Sequence, residues 1–140
     1  MFYIDRVETN WPMRVQLPIG THVPFHCTAS GKVFLASLSR PEREKLVSTL
    51  DLERLTPNTI TSQKVLLEEL SRVRAKAYAI DDEEFIEGMA AVAVPVKEPG
   101  GAFFAALAVH GPNRRFPIAA AVAAKDLLLG AAARLEKVLF

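Results

Sequence analysis

The run "HCTASGKVFLA", His26 to Ala36, sets small polar residues and a Ser-Gly-Lys triplet in front of an apolar stretch. Three kinds of chemistry use such a layout: a phosphate loop, an activated serine, and a helix start that holds an anion. A phosphate loop needs glycines at both ends, with Lys and then Ser or Thr after the second. Here Val33 follows Lys32, and no glycine stands five positions before Gly31. A serine elbow needs glycine two residues to either side of the nucleophile, but Thr28 and Lys32 hold those places around Ser30. What remains is a helix start whose Thr28 and Ser30 hydroxyls satisfy free backbone donors. If those amide groups face a cavity, the positive end of the helix holds a carboxylate or phosphate. The residues alone leave the plain cap and the anion site both open.

Other chemistry-bearing groups are weaker. His22, His26 and His110, with Asp81 or Cys27, are metal-ligand types, yet no pair has the helical spacing of the recognised zinc motif. No metal is expected. The acidic run Asp81, Asp82, Glu83 and Glu84, with Glu87, lacks the alternating ligands and central glycine of a calcium loop, and reads as a solvated link between strands. Arg114 and Arg115 read as a surface turn or a contact with Asp82, against the sharper alternative of an anion clamp.

These groups need a scaffold. Phe2, Ile4 and Val7, then Met13, Val15 and Leu17, suggest two short strands joined across "ETNWP". A helix capped by Thr28 or Ser30 should cover Val33 to Leu38. Ser39, Pro41 and Glu42 then make a serine-x-x-glutamate start for a second helix to about Leu50. "LTPNTITS" is an irregular link. After Thr61 or Ser62 a third helix places Leu66, Leu70, Val73 and Ala77 on one face. "YAID", "AAVAVPV" and "AFFAALAVH" read as strands, with Pro99, Gly100 and Gly101 turning a hairpin. Pro95 cannot donate to a ladder and should lie near a strand end, at a bulge or on an edge. The Ala- and Leu-rich end, Ile118 to Phe140, is a helix. Strands, helices, strands and a terminal helix make an α+β domain with a mainly antiparallel sheet.

Composition narrows the function classes. The chain has 140 residues, half of them hydrophobic (50%), which fits one domain. Seventeen basic side chains stand against 16 acidic ones, a net charge of +1, so no broad field favours nucleic acid. Cys27 is the sole cysteine, which excludes an internal disulfide and fits a reducing compartment, the cytoplasm. The first residues lack the layout of a secretory signal, and charges interrupt the apolar C-terminal segment, so no membrane association is expected. An enzyme with His110 or His26 as base and Asp81 or Ser30 assisting is conceivable, but nothing in the spacing demands catalysis.

Taken together, "IGTHVPFHCTASGKVFLASL", "LERLTPNTIT", "YAIDDEEFIEGMAAVAVPV" and "AALAVHGPNRRF" resemble the effector-binding domain of IclR-type transcriptional regulators, in order and spacing, from "YIDRVE" to the final helix. The resemblance implies a GAF-like fold, an antiparallel sheet flanked by helices, with a pocket for a small organic acid. It implies no enzyme activity and no cofactor. Such domains commonly pair, so a homo-oligomer is expected. DNA is reached only through an N-terminal winged helix-turn-helix. That segment, and the helix and strand that usually precede "YIDRVE", are expected to be missing here, which marks a fragment or a truncated gene product.

Carried over position by position, the resemblance puts the ligand carboxylate at Ala29 and Ser30, with Gly31 allowing close approach, and turns Asp81 toward the pocket. A position that is often cysteine in the family is Ala91 here. Two alternating positions that are often serine are Ala108 and His110. These departures remove polar partners, so a less polar and larger effector than the smallest keto acids is expected, such as an aromatic or branched carboxylate. Asp81 and His110 would supply its polar specificity contacts.

Overall fold

The computed structural model describes residues 1–12 and 17–140. Three helices come first: α1 (Ala29–Ser37), α2 (Arg40–Thr49) and α3 (Gln63–Lys76). They are followed by β1 (Ala79–Asp82), β2 (Met89–Lys97) and β3 (Phe103–Pro112), and then by α4 (Ile118–Ala123) and α5 (Lys125–Leu139). The strands form a three-stranded antiparallel sheet in the order β1-β2-β3. The α+β architecture agrees with the sequence reading.

The first three helices each start where local chemistry supplies a cap, whereas α4 and α5 have none from a side chain. Thr28 caps α1. Ser39 and Glu42 form a reciprocal capping box on α2, with proline in the first turn. The Ser62 hydroxyl accepts from Val65 N–H at the start of α3. Leu66, Leu70 and Val73 form the buried face of α3, and burying each leucine fully contributes roughly 1.5–3 kcal/mol. Ala77 does not extend that face. It ends the helix in the left-handed region at φ 60°.

The two faces of β2 serve two cores. Ala91 and Ala93 pack with Val33, Ala36, Leu66 and Leu70 from α1 and α3. Val92, Val94 and Val96 pack with Ala121, Leu128 and Ala132 from α4 and α5. Small residues thus lie on the α1 side, where a helix must come close, and β-branched ones on the other. A register shift between Val96 and Lys97 leaves Phe104 as the extra residue of β3, so Phe103 shares a face with Ala106 and Ala108. Pro95 lies inside the central strand, beyond the last residue that β1 pairs and one residue before this shift. Its missing donor is tolerated there. Gly101, at φ 84°, closes the β2–β3 turn as its sequence suggests.

Two expectations need correction. The N-terminal residues form no strand among the described residues: Phe2 makes one antiparallel bridge, to His22, while Ile4 is 63% and Val7 100% exposed. With no sheet beside them to cover an apolar face, the alternation of Phe2 and Ile4 is not used. Met13 and Val15, placed in the second expected strand, lie outside the described residues. The C-terminal segment is two helices rather than one, divided at Ala124. Among the described residues no helix is long and apolar enough to cross a membrane.

Candidate functional site

The start of α1 and one rung of the sheet face each other. Thr28 Oγ1 accepts from Gly31 N–H at 3.1 Å and donates to the Pro24 carbonyl at 2.7 Å. The N–H groups of Ala29 and Ser30, in the first turn, have no acceptor within the helix, and the helix dipole adds positive potential there. Opposite them, Asp81 pairs with Ala91, and Ala91 pairs with His110, so these residues form one row across the three strands. Ala108, two residues from His110, lies on the same face.

A cavity opens between these elements, lined by Thr28, Ala29, Ser30, Asp81, Ala91, Ala108 and His110. Tyr3, Leu17, Phe85, Ile86, Met89 and Ala90 complete it. Its free interior is about 30 Å³, against on the order of 150 Å³ for a cavity that admits benzene. The space given up by side chains as small as Ala91 and Ala108 is therefore not standing open. Gly31 does not line the cavity. A Cβ there would lie 2.4 Å from the Phe25 carbonyl oxygen and 2.5 Å from its Cα, so the close approach that Gly31 permits is to the chain's own backbone.

The acidic run mostly turns inward, unlike the solvated link expected. Asp81 is buried, and its Oδ1 accepts from Glu84 N–H (2.7 Å) and Phe85 N–H (3.3 Å), which fixes the turn after β1. Glu83, in the left-handed region at φ 56°, accepts from Gly88 N–H and from Asn113 Nδ2, each at 2.7 Å. Glu84 is buried and receives Lys32 Nζ at 2.8 and 3.0 Å. Lys32 is fully buried, with Glu69 of α3 a further 3.6 Å neighbour. The lysine of the failed phosphate loop is thus the internal counter-charge that ties α1 to the Asp81 turn and to α3.

Burial governs the titration of the site. It lifts the Asp81 carboxyl from 3.8 to about 7, with the neighbouring Glu84 charge adding to the rise and backbone donors and Lys32 opposing it. Glu84 is also raised by burial, against the pull of Lys32. His110 is depressed by burial, so its imidazole is neutral near pH 7 and offers one N–H and one acceptor. The Tyr3 ring meets it edge-on at 6.2 Å. Burial and the Asp81 charge push the Cys27 thiol up to about 12.

The remaining candidates lie elsewhere. His26 Nε2 is 2.9 Å from the Glu53 carbonyl, and His22 packs on Phe2. Among the described residues no group of three or more His, Cys, Asp or Glu side chains is arranged so that it could hold a metal ion. Arg115 stacks over Trp11 at 4.6 Å. Sequence reasoning missed Tyr3, Phe85, Ile86 and Met89 as lining residues. Phe85 and Ile86 left one signal, an apolar pair inside an acidic stretch that has no use for it in solvent.

Comparison with known proteins gives the family of the chain. The family described as bacterial transcriptional regulator IclR C-terminal matches residues 1–136. The probable transcriptional regulator SauR of Cupriavidus necator is 45% identical over 113 residues, 81% of this chain and 45% of that protein. The chain spans about half the length of the curated relatives it matches. The crystal structure of Thermotoga maritima IclR superposes with a TM-score of 0.90 at 33% identity, covering 99% of this chain and 56% of that one. A double mutant of the PobR inducer-binding domain from Acinetobacter, in complex with 3-hydroxybenzoic acid, superposes at 0.79 with 35% identity, over 85% of this chain and 69% of that one.

Proposed function

This chain belongs to the IclR C-terminal family, as an effector-binding domain and not an enzyme, and from that premise we propose that its α1 cavity senses a small organic acid on behalf of a transcriptional regulator. The ligand carboxylate sits at the Ala29 and Ser30 N–H groups, where the helix offers unpaired donors and positive potential. Its body lies over Ala91 and Ala108, and His110 donates one hydrogen bond to it. The observation that carries this reading is the convergence of an unpaired helix start with the Asp81–Ala91–His110 row across one cavity.

The effector is an aromatic or branched carboxylate. The alanine walls support an apolar body, and the hydroxybenzoate complex of PobR shows that a related domain takes an aromatic acid. Asp81 fits such a ligand because a carboxyl raised to about 7 is largely protonated on the acid side of neutrality, when it repels no anion and donates a hydrogen bond. In the parent protein, a segment outside this chain binds DNA, and occupancy shifts the domain, as part of a homo-oligomer, between arrangements that bind DNA differently.

A thermal-shift screen of keto acids, hydroxybenzoates and branched carboxylates at fixed ionic strength tests the reading. Binding raises the midpoint in proportion to ln(1 + [L]/Kd), about 2.7 kcal/mol at a hundred times Kd. One chemical class should give a saturable rise that is smaller in His110→Ala. A flat response to every class would overturn the sensor reading, and an undiminished rise in the variant would remove His110 from the site.

A further inference from the structure

Away from the α1 cavity, α2 and α3 run side by side and leave an open groove lined by Arg40, Arg43, Glu44, Lys64, Leu67 and Glu68 among others. The groove spans about 690 Å³. Arg43 is the unusual member. It is only 7% exposed, and its Nε and Nη1 are buried without any hydrogen-bond partner. Among the described residues no ion pair reaches it: Glu44, next in sequence, is held by Arg40 at 2.8 Å, and Glu68 pairs with no cation in the groove. The nearby Arg74 adds repulsion and, as a donor only, offers no acceptor; its own Nη1 donates to the Ala36 and Leu38 carbonyls at the end of α1.

A covered guanidinium with two idle donors is a costly arrangement for a protein to keep, because desolvated charge is ordinarily matched by an acceptor. Burial and the Arg74 charge both depress the Arg43 guanidinium from its ordinary value, yet it remains a cation. A dianion or a carboxylate in the groove supplies the counter-charge that no neighbouring side chain gives Arg43. Lys64 at the rim is exposed and able to close over such a group, whereas Arg40 is held by Glu44.

We propose that the α2–α3 groove is a second ligand site, in which Arg43 takes a small oxyanion, phosphate or carboxylate, independently of the α1 cavity.

The test uses the whole chain with inorganic phosphate and acetate as probes, against chloride at matched ionic strength. Phosphate or acetate should raise the thermal midpoint saturably beyond chloride. Arg43→Met, which keeps the stem and removes the charge, should weaken that response ~10-fold or more while its own midpoint in chloride is equal to or above that of the wild type. A rise for phosphate alone identifies a phosphate site, and a rise for both identifies a general carboxylate-tolerant one. A response no greater than that of chloride, or one that survives in Arg43→Met, overturns the proposal. Nuclear magnetic resonance of the wild-type chain keeps the question answerable if the variant fails to fold. The Arg43 Nε–H signal and the amides of residues 40–44 and 63–71 should move with phosphate, and movement confined to residues 29–31 would place the anion at the α1 cavity instead.

Discussion

Asp81→Asn separates the charge of Asp81 from its structural hydrogen bonds. The asparagine oxygen still accepts from Glu84 and Phe85 N–H, so the turn after β1 keeps its tie. Only the ionisation is lost. The carboxyl rises from 3.8 to about 7 on folding, about three units at 1.36 kcal/mol each, for a ceiling of ~4 kcal/mol. Because the native state holds the proton more tightly than the unfolded chain, this stabilisation is complete below about 3.8 and is lost as pH rises through about 7. Glu84, also raised, acts in the same direction, whereas His110, depressed, contributes stability that is lost as pH falls through its folded value. Subtracting the variant from the wild type removes both to first order. Urea unfolding at a series of pH values from about 4 to 8 should show the two proteins converging on the acid side and the variant becoming the more stable by several kcal/mol on the alkaline side. A constant difference, or a wild type that gains on the variant as pH rises, would mean that the backbone donors outweigh burial and that Asp81 is an ordinary low carboxylate.

Three further outcomes follow from the packing. Gly31→Ala forces a methyl against the Phe25 backbone and should cost roughly 1–3 kcal/mol or more in thermal unfolding; a neutral result would show that the Phe25 segment can retreat. Lys32→Met leaves Glu84 buried without its cation and should cost ~3–5 kcal/mol in urea unfolding, partly restored by adding Glu84→Gln. Strict additivity of the two changes would deny the pair. Cys27, fully buried with its thiol pushed to about 12, should resist iodoacetamide in the native chain and react once urea unfolds it. Native modification at the rate of a free thiol would contradict the burial.

Much of the frame was legible because it is local. Ser39 with Glu42, and Ser62 before its amphipathic run, announce their helices within a few residues, and the Pro-Gly-Gly turn announces the hairpin. The two faces of β2 were hidden for a physical reason: alanine on one side and valine on the other are both apolar, so the run shows no alternation even though the sheet uses it to separate two cores. Lys32 was illegible for another. Its partners Glu69 and Glu84 are distant in sequence, and a fully buried lysine is rare enough that the residue types alone argue against it. Phe2 and Ile4 misled in the opposite sense, since alternation predicts a strand only where a sheet exists to join. No residue in the Ala-rich C-terminal run accounts for its division at Ala124. The placement of Ala29, Ser30, Asp81, Ala91, Ala108 and His110 around one cavity came from the family pattern and not from their chemistry, because alanines carry no signature of a binding wall.

The narrowness of the α1 cavity bears on how any affinity for this domain should be read. An interior of about 30 Å³ cannot receive an aromatic acid as it stands. If the effector is an aromatic acid, the binding-competent shape is a wider one than this, and the measured dissociation constant is the intrinsic one divided by the fraction of molecules that have it. If that fraction is about one in a hundred, the observed affinity is about a hundredfold below what the contacts alone would give. Substitutions that loosen the walls can then tighten binding without touching the ligand, and ligands ranked by affinity are ranked partly by how little they ask the domain to widen.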